Sequence, residues 1–242
     1  MIVIRIKLKH TFLALGTIAL MFAMVLLSFY YVRHTTREMG AAEQAPIIPV
    51  VLLDAGHGGE DGGAVGLDGL VEKDLNLAVT LQLNTFLRAM GFETQLTRCE
   101  DCDLHDPEAG SCQSRKVSDI RARFAMMEAL GDNDLFVSIH MNKFGQASAR
   151  GTQVFYGANN PQSVVLAESI QATVVALLQP ENHRQIKPSG DSIYLLYRAE
   201  RIAVMVECGF ISNPGDAENL QEETYQRQLS FAIMAGILGY YE

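Results

Sequence analysis

Basic side chains are scarce in this 242-residue chain: 19 Lys and Arg stand against 28 Asp and Glu, a formal charge of −9. Beyond residue 45 the balance is 14 basic against 26 acidic side chains, a formal charge of −12. A polyanion such as nucleic acid needs clustered Lys and Arg for its phosphates, so this shortage excludes it as substrate or partner. Several catalytic signatures are missing as well. Neither H-E-x-x-H nor G-x-S-x-G occurs, which removes motif support for zincin peptidases and serine hydrolases. The Gly-rich stretch after Asp54 lacks the Gly-Lys-Ser/Thr of a phosphate loop, and its glycines do not follow dinucleotide spacing. The chain has no internal repeat and no low-complexity tract. Cysteine is limited to four positions. Cys99, Cys102 and Cys112 share one segment with His105, but only the C-x-x-C pair has regular metal spacing. In an exported domain a local disulfide is expected instead, with Cys112 joined to Cys99 or Cys102. Cys208 reads as a buried small hydrophobe.

One long apolar run stands near the start. Thr11 to Val32 is uncharged, and its 22 residues exceed the roughly 20 that cross a bilayer as a helix. Arg5, Lys7 and Lys9 precede it, so the amino end is expected to stay in the cytoplasm and the rest to be exported. A cleaved signal peptide has a shorter apolar region, about 7–15 residues, followed by a small-x-small site. Here Gly40-Ala41-Ala42 and Ala45 come only after a charged interval. The reading is an uncleaved anchor, with a cleaved, secreted form as the alternative. It divides the chain into a basic segment and transmembrane anchor at 1–33, a linker at 34–48 and a catalytic domain at 49–242, held outside the cytoplasm on the cell-wall side.

Beyond Pro49 two periodicities alternate. Val50 to Leu53, Phe92 to Thr97, Leu135 to His140, Thr152 to Tyr156, Ile193 to Tyr197 and Ala203 to Glu207 read as short strands. Asp74 to Met90, Val117 to Leu130, Gln162 to Leu178 and Thr224 to Tyr240 carry helical spacing, and Gly91 and Gly131 close the first two. Cys99 to Ser114 is expected to be a loop. The alternation predicts a single α/β domain, a mostly parallel twisted sheet covered by helices on both faces.

Three of the strands lead to residues that bind metals or move protons. Val50-Val51-Leu52-Leu53 runs through Asp54 to His57, Leu135 to Ile139 ends at His140, and Ile202 to Val206 ends at Glu207. Open α/β sheets place their chemistry at the strands' carboxyl ends. Glycines at 56, 58, 59, 62 and 63 let the backbone bend around His57. A hydrolytic zinc site takes three protein ligands and leaves one position open, and two His with one Glu is a common set. His57 and His140 supply the imidazoles of a site for one zinc. Glu72, at the start of the first helix, is the first choice for the carboxylate, with Glu60, Asp61 and Asp68 as competitors. Its alternative role is an acid favouring the helix dipole. Glu207 is assigned to proton transfer; the alternative is a buried acid paired with Arg198 or Arg201. Asp54 is expected to orient an imidazole from behind, and Asn142 to line the substrate cleft.

Four motifs in order, Asp54-Ala55-Gly56-His57-Gly58-Gly59, Glu72-Lys73-Asp74-Leu75-Asn76, Ser138-Ile139-His140-Met141-Asn142 and Val206-Glu207-Cys208-Gly209-Phe210-Ile211-Ser212-Asn213, resemble the zinc-dependent N-acetylmuramoyl-L-alanine amidases of type 3. The resemblance spans residue 49 to the carboxyl end and is nearest to the germination-specific, spore-cortex (CwlD-type) group. It implies that His57, Glu72 and His140 hold zinc and that Glu207 is the catalytic acid/base. It also implies cleavage of the amide between N-acetylmuramic acid and the L-alanine of the peptidoglycan stem peptide. A role in cortex maturation through muramic-δ-lactam follows, with a peptidoglycan deacetylase as functional partner and an accessory protein as a further partner to consider. The chain departs from the family at Ile202, where many members have Pro, and at Tyr197, where a basic residue is usual. The segment from Gly157 to Asp191 is too short for a core helix plus the blocking helix of some members, so an accessible cleft is expected. Two other readings stand beside this one: a zinc peptidoglycan deacetylase or carboxypeptidase, and a membrane-anchored wall-binding protein without activity.

Overall fold

Val51 and Leu53 of β1 (Val50–Ala55) pack into one core and Leu52 into another, and all three are fully buried. A strand covered on both faces needs such an unbroken apolar run. The same two-sided burial marks β3 (Leu135–Asn142) and β6 (Ile202–Phe210). The computed structural model describes residues 23–28, Tyr30 and 49–241. The first of these belong to a separate unit, Met1–Ile47, and are helical and exposed. The anchor expected over 11–32 lies largely outside the described residues, and among those described no helix is long and apolar enough to cross a membrane.

The second unit, Ile48–Glu242, carries a six-stranded sheet in the order β2-β1-β3-β6-β4-β5, where β2 is Glu93–Leu96, β4 Gln153–Tyr156 and β5 Lys187–Pro188. Every pairing is parallel except β4 with β6, so β4 and β5 run opposite to the other four strands. Helices α1 (Glu72–Ala89), α3 (Pro161–Leu177) and α6 (Glu223–Tyr240) cover one face, where Leu83, Ile170 and Ile233 join Val51, Val137 and Val204. Helices α2 (Cys112–Glu128) and α4 (Tyr194–Arg198) cover the other, where Met127 and Leu196 join Leu52, Phe136 and Ala203. Each such side chain contributes roughly 1.5–3 kcal/mol on burial, so the two cores hold the sheet centre from both sides. This is the expected mostly parallel α/β domain.

The topology also places the site. The chain leaves β1 through α1 to reach β2, then returns through α2 to β3 on the other side of β1. Because α1 and α2 lie on opposite faces, a crevice opens at the carboxyl ends of β1 and β3.

Three local expectations are corrected. Ile193 to Tyr197 is not a strand: Tyr194–Arg198 forms the short helix α4. Leu195 and Leu196 are consecutive and both buried on the same core, which alternating strand geometry would not allow. Helix α2 starts at Cys112 rather than Val117, because Ser111 and Ser114 form a reciprocal cap that ends the loop early. An unforeseen helix, α5 (Pro214–Gln221), follows β6; Asn213 caps it and Pro214 occupies its first turn. Between α3 and α4 the described residues hold only β5, so no second helix stands in that segment.

Candidate active site

After Ala55 the backbone turns through Gly56-His57-Gly58-Gly59. His57 takes the left-handed conformation, with φ of 61°, at a cost on the order of 1–3 kcal/mol for a residue with a side chain. Gly56 is required for a different reason: a Cβ there would stand 2.1 Å from His140 Nε2. Only glycine lets the β1 turn and the β3 imidazole come this close. The two rings pack edge to face with centroids 4.9 Å apart.

Glu72, the first residue of α1, lies between them and is 4% exposed. Its Oε1 is 2.9 Å from His140 Nδ1 and its Oε2 is 3.3 Å from His57 Nε2. The backbone N–H groups of Met141 and Ala64 donate to the same carboxylate at 3.1 and 2.8 Å. Burial would raise the Glu72 carboxyl, but hydrogen bonds and charge from His140 and His57 hold it well below the usual carboxylate range. Gly63, with φ of 69°, closes the other side; a Cβ there would meet Glu72 Oε2 and His57 Cδ2 at 2.6 Å.

His57, Glu72 and His140 each present a donor atom, and these atoms lie within 4.8 Å of one another, the one such group of His, Cys and acidic residues among the described residues. The competing carboxylates are not members of this group. Glu60 pairs with Arg115 at 2.6 Å, and exposed Asp68 sits in the short turn Leu67–Gly69. Asp61 pairs with His57 Nδ1 at 2.8 Å and with Lys116 at 3.3 Å. Burial opposes protonation of His57, while Glu72 and Asp61 more than offset this and raise its pKa. The four cysteines are free thiols, so the local disulfide expected near Cys112 is not formed, and Cys99, Cys102, Cys112 and His105 gather into no metal-binding group.

Glu207 ends the inward run of β6, directly beside His140 in the β3–β6 register. Its Oε2 is buried without a hydrogen-bond partner among the described residues. Burial pushes its carboxyl up to about 7; the His140 and His57 charges oppose this and the Glu72 charge adds to it. No ion pair links it to Arg198 or Arg201, and Arg201 is instead held by Asp132 at 2.6 Å. Glu207 and both histidines line a cleft of about 320 Å³, walled by Lys116, Asp119 and Ile120 of α2 and by the Ser192–Leu195 segment.

Two expectations shift. Asp54 touches no imidazole: it accepts from Arg123 Nη1 at 2.5 Å, Ser138 Oγ at 2.6 Å and Thr97 Oγ1 at 2.8 Å. The contact behind an imidazole falls to Asp61, which spacing had marked only as a competing ligand. Asn142 does not line the cleft. A register shift between His140 and Asn142 breaks the strand alternation there, so Asn142 does not simply repeat the facing of His140. Sequence reasoning also missed buried Arg123. Its signal is an arginine in the inward stripe of α2, in step with Ile120 and Met127.

Comparison with known proteins agrees with this geometry. A family model described as N-acetylmuramoyl-L-alanine amidase (Amidase_3) matches residues 51–239. The germination-specific N-acetylmuramoyl-L-alanine amidase of Bacillus subtilis is 32% identical over 192 residues, covering 79% of each chain. The protein YqiI of the same organism is 39% identical over 194 residues, covering 79% of this chain and 84% of its own. Among solved structures, the CwlD amidase of Clostridioides difficile in complex with the GerS lipoprotein superposes with a TM-score of 0.75 at 36% identity, covering 80% of this chain and 98% of that one. With the match running from β1 into α6 and so taking in both histidines, Glu72 and Glu207, the chain belongs to the N-acetylmuramoyl-L-alanine amidase family.

Proposed function

We propose that this amidase works with one zinc held by His57, Glu72 and His140, and that Glu207 moves the proton. The observation carrying this reading is a buried, unpartnered carboxylate oxygen of Glu207 beside a cleft lined by His57 and His140, the two imidazoles that Glu72 joins in a two-His, one-Glu donor set. The donor set suits the ion in kind, two imidazoles and a carboxylate, and its donor atoms already lie within 4.8 Å of one another, with His57 Nε2 and Glu72 Oε2 3.3 Å apart. When bound, zinc supplies Lewis acidity toward the amide carbonyl and toward water.

The chain's own residues supply the rest. Glu72 keeps its negative charge at any working pH because both imidazoles stabilise it. Asp61 fixes the His57 ring through Nδ1 and leaves Nε2 facing Glu72. Glu207, with a carboxyl poised near neutrality, takes a proton from the attacking water and returns it to the leaving amine of L-alanine. The amide cut joins N-acetylmuramic acid to L-alanine, which the family membership supports over deacetylase or carboxypeptidase chemistry. The test is mass analysis of purified peptidoglycan after digestion: free stem peptides beginning with L-alanine are expected, and release of acetate or of a terminal amino acid would overturn the assignment.

The likeness to a germination-specific amidase supports a role in germination, and the same proposal includes spore-cortex maturation through muramic-δ-lactam with a peptidoglycan deacetylase as functional partner. The likeness to an amidase solved with a lipoprotein supports an accessory lipoprotein as partner. Residues 11–32 are proposed to hold the catalytic domain, residues 49–242, at the outer face of a membrane through the 34–48 linker. A native protein whose mature start lies near residue 41–46 would refute the anchor.

A further inference from the structure

We propose that Arg123 is the positioning residue for His57, holding the left-handed turn from behind so that the imidazole is in place before a metal arrives. The proposal rests on the reading of His57 as a metal ligand. Three successive carbonyls, those of Ala55, Gly56 and His57, accept from buried guanidinium groups. Arg123 Nη2 donates to His57 O at 2.7 Å, and Nη1 donates to Ala55 O at 2.9 Å and to Asp54 Oδ1 at 2.5 Å. Arg98 Nε donates to Ala55 O at 2.9 Å, and its Nη2 to Gly56 O at 3.1 Å and to Lys73 O at 2.8 Å. Both arginines are 3% exposed.

An ordinary surface turn leaves such carbonyls to water. Here a side chain from α2, 66 residues along the chain, is aimed at the one metal donor whose backbone is left-handed. Asp119 Oδ2 accepts from Arg123 Nε at 2.7 Å and Asp54 from Nη1, so the fork cannot swing away. The same helix face reaches the other end of His57. Lys116, two helical turns before Arg123, pairs with Asp61, and Asp61 pairs with His57 Nδ1. Helix α2 thereby grips both the carbonyl and the ring of a single residue. The planar five-donor fork serves Asp119, Asp54 and two carbonyls at once, whereas a lysine has three donors on a single atom and cannot reach all four.

The experiment uses the full-length protein and compares Arg123→Lys with Thr97→Val. The lysine keeps a positive charge beside Asp54 but cannot bridge to His57 O. Zinc affinity, measured by chelator competition, is expected to fall about 10–100-fold, and the visible absorption of the cobalt-substituted protein is expected to change. Thr97→Val removes another hydrogen bond to Asp54, the 2.8 Å contact from Thr97, without touching the turn. It is expected to keep wild-type zinc affinity and cobalt spectrum. Should Arg123→Lys fail to fold, the uncharged pair Asp54→Asn with Arg123→Met is expected to show the same loss. Wild-type zinc affinity and spectrum in the folded Arg123 variant would overturn the proposal alone, as would an equal loss in Thr97→Val. A wild-type protein that binds no zinc would overturn the metal assignment together with it.

Discussion

Replacing Glu207 with glutamine is expected to make the zinc-free protein more stable at alkaline pH while removing its activity. The Glu207 carboxyl, ordinarily at 4.5, is pushed up to about 7, chiefly by burial. At about 1.36 kcal/mol per pKa unit, ionising it inside the zinc-free fold costs about 3 kcal/mol. The group is half-buried at the cleft, and screening there brings the expected figure to about 2 kcal/mol. The sign follows from linkage: a carboxyl whose folded pKa is raised holds its proton more tightly when folded than when unfolded. The penalty is therefore nearly absent at the ordinary value of 4.5, grows as pH rises, and is complete above about 7. Glutamine keeps the shape and carries no charge to bury. Urea denaturation of zinc-free Glu207→Gln against wild type is expected to show a gain of about 2 kcal/mol near pH 8 and little difference near pH 4.5. Zinc-loaded samples of the same variant are expected to lose about 10²–10⁴-fold in release of stem peptides. A gain that is the same at both pH values would refute the buried-charge argument. Near-normal turnover by zinc-loaded Glu207→Gln would show that another residue moves the proton.

Single alanine variants of His57, Glu72 and His140 are each expected to lose most bound zinc, since two remaining ligands make a poor site; stoichiometric zinc in all three, measured by elemental analysis, would remove the assignment. Asp54→Ala removes the more buried of the two carboxylates on Arg123, at 1% exposed, and leaves it Asp119 and two carbonyls; it is expected to cost about 1–3 kcal/mol in denaturant unfolding. Cys208→Ser is expected to retain turnover with a stability loss of about 1–3 kcal/mol, because the thiol is fully buried and burial drives its pKa far above the ordinary value of 9.0. Loss of activity in a folded Cys208→Ser protein, checked by circular dichroism, would refute its reading as a packing residue.

The strand-end residues were legible because buried parallel strands leave a strong local mark. Val51 to Leu53, Leu135 to Ile139 and Ile202 to Val206 are apolar on both faces, so the polar residue that ends each one stands out. Asp54 and Asn142 were misplaced for one shared reason: their environment is set by a neighbour that local pattern does not contain. Asp54 is captured by an arginine 69 residues away, and Asn142 is turned aside by a register shift that only the β3–β6 pairing creates. The Ile193–Tyr197 segment carries apolar residues that suit a strand and a short helix equally, and packing of Leu195 and Leu196 on one core decides for the helix. The Arg123 fork was missed because a charged residue inside a helix normally signals the solvent face, although its step with Ile120 and Met127 marks the inward stripe.

The position of β6 bears on when this hydrolase can first act. It is the last strand in sequence, yet it lies between β3 and β4, which precede it by many residues. A growing chain that has delivered β1 through β4 already contains His57, Glu72 and His140, but the middle of its sheet is missing. Neither the edge of β3 nor that of β4 is paired with its final partner at that stage. Glu207 arrives only when β6 is threaded between them, a non-local step of the kind that comes late and slowly in folding. A fragment ending before residue 202 would carry the donor set without Glu207, the proposed proton carrier. On the proposed roles, the chain therefore holds its full set of acting groups only once its last strand has been made and inserted.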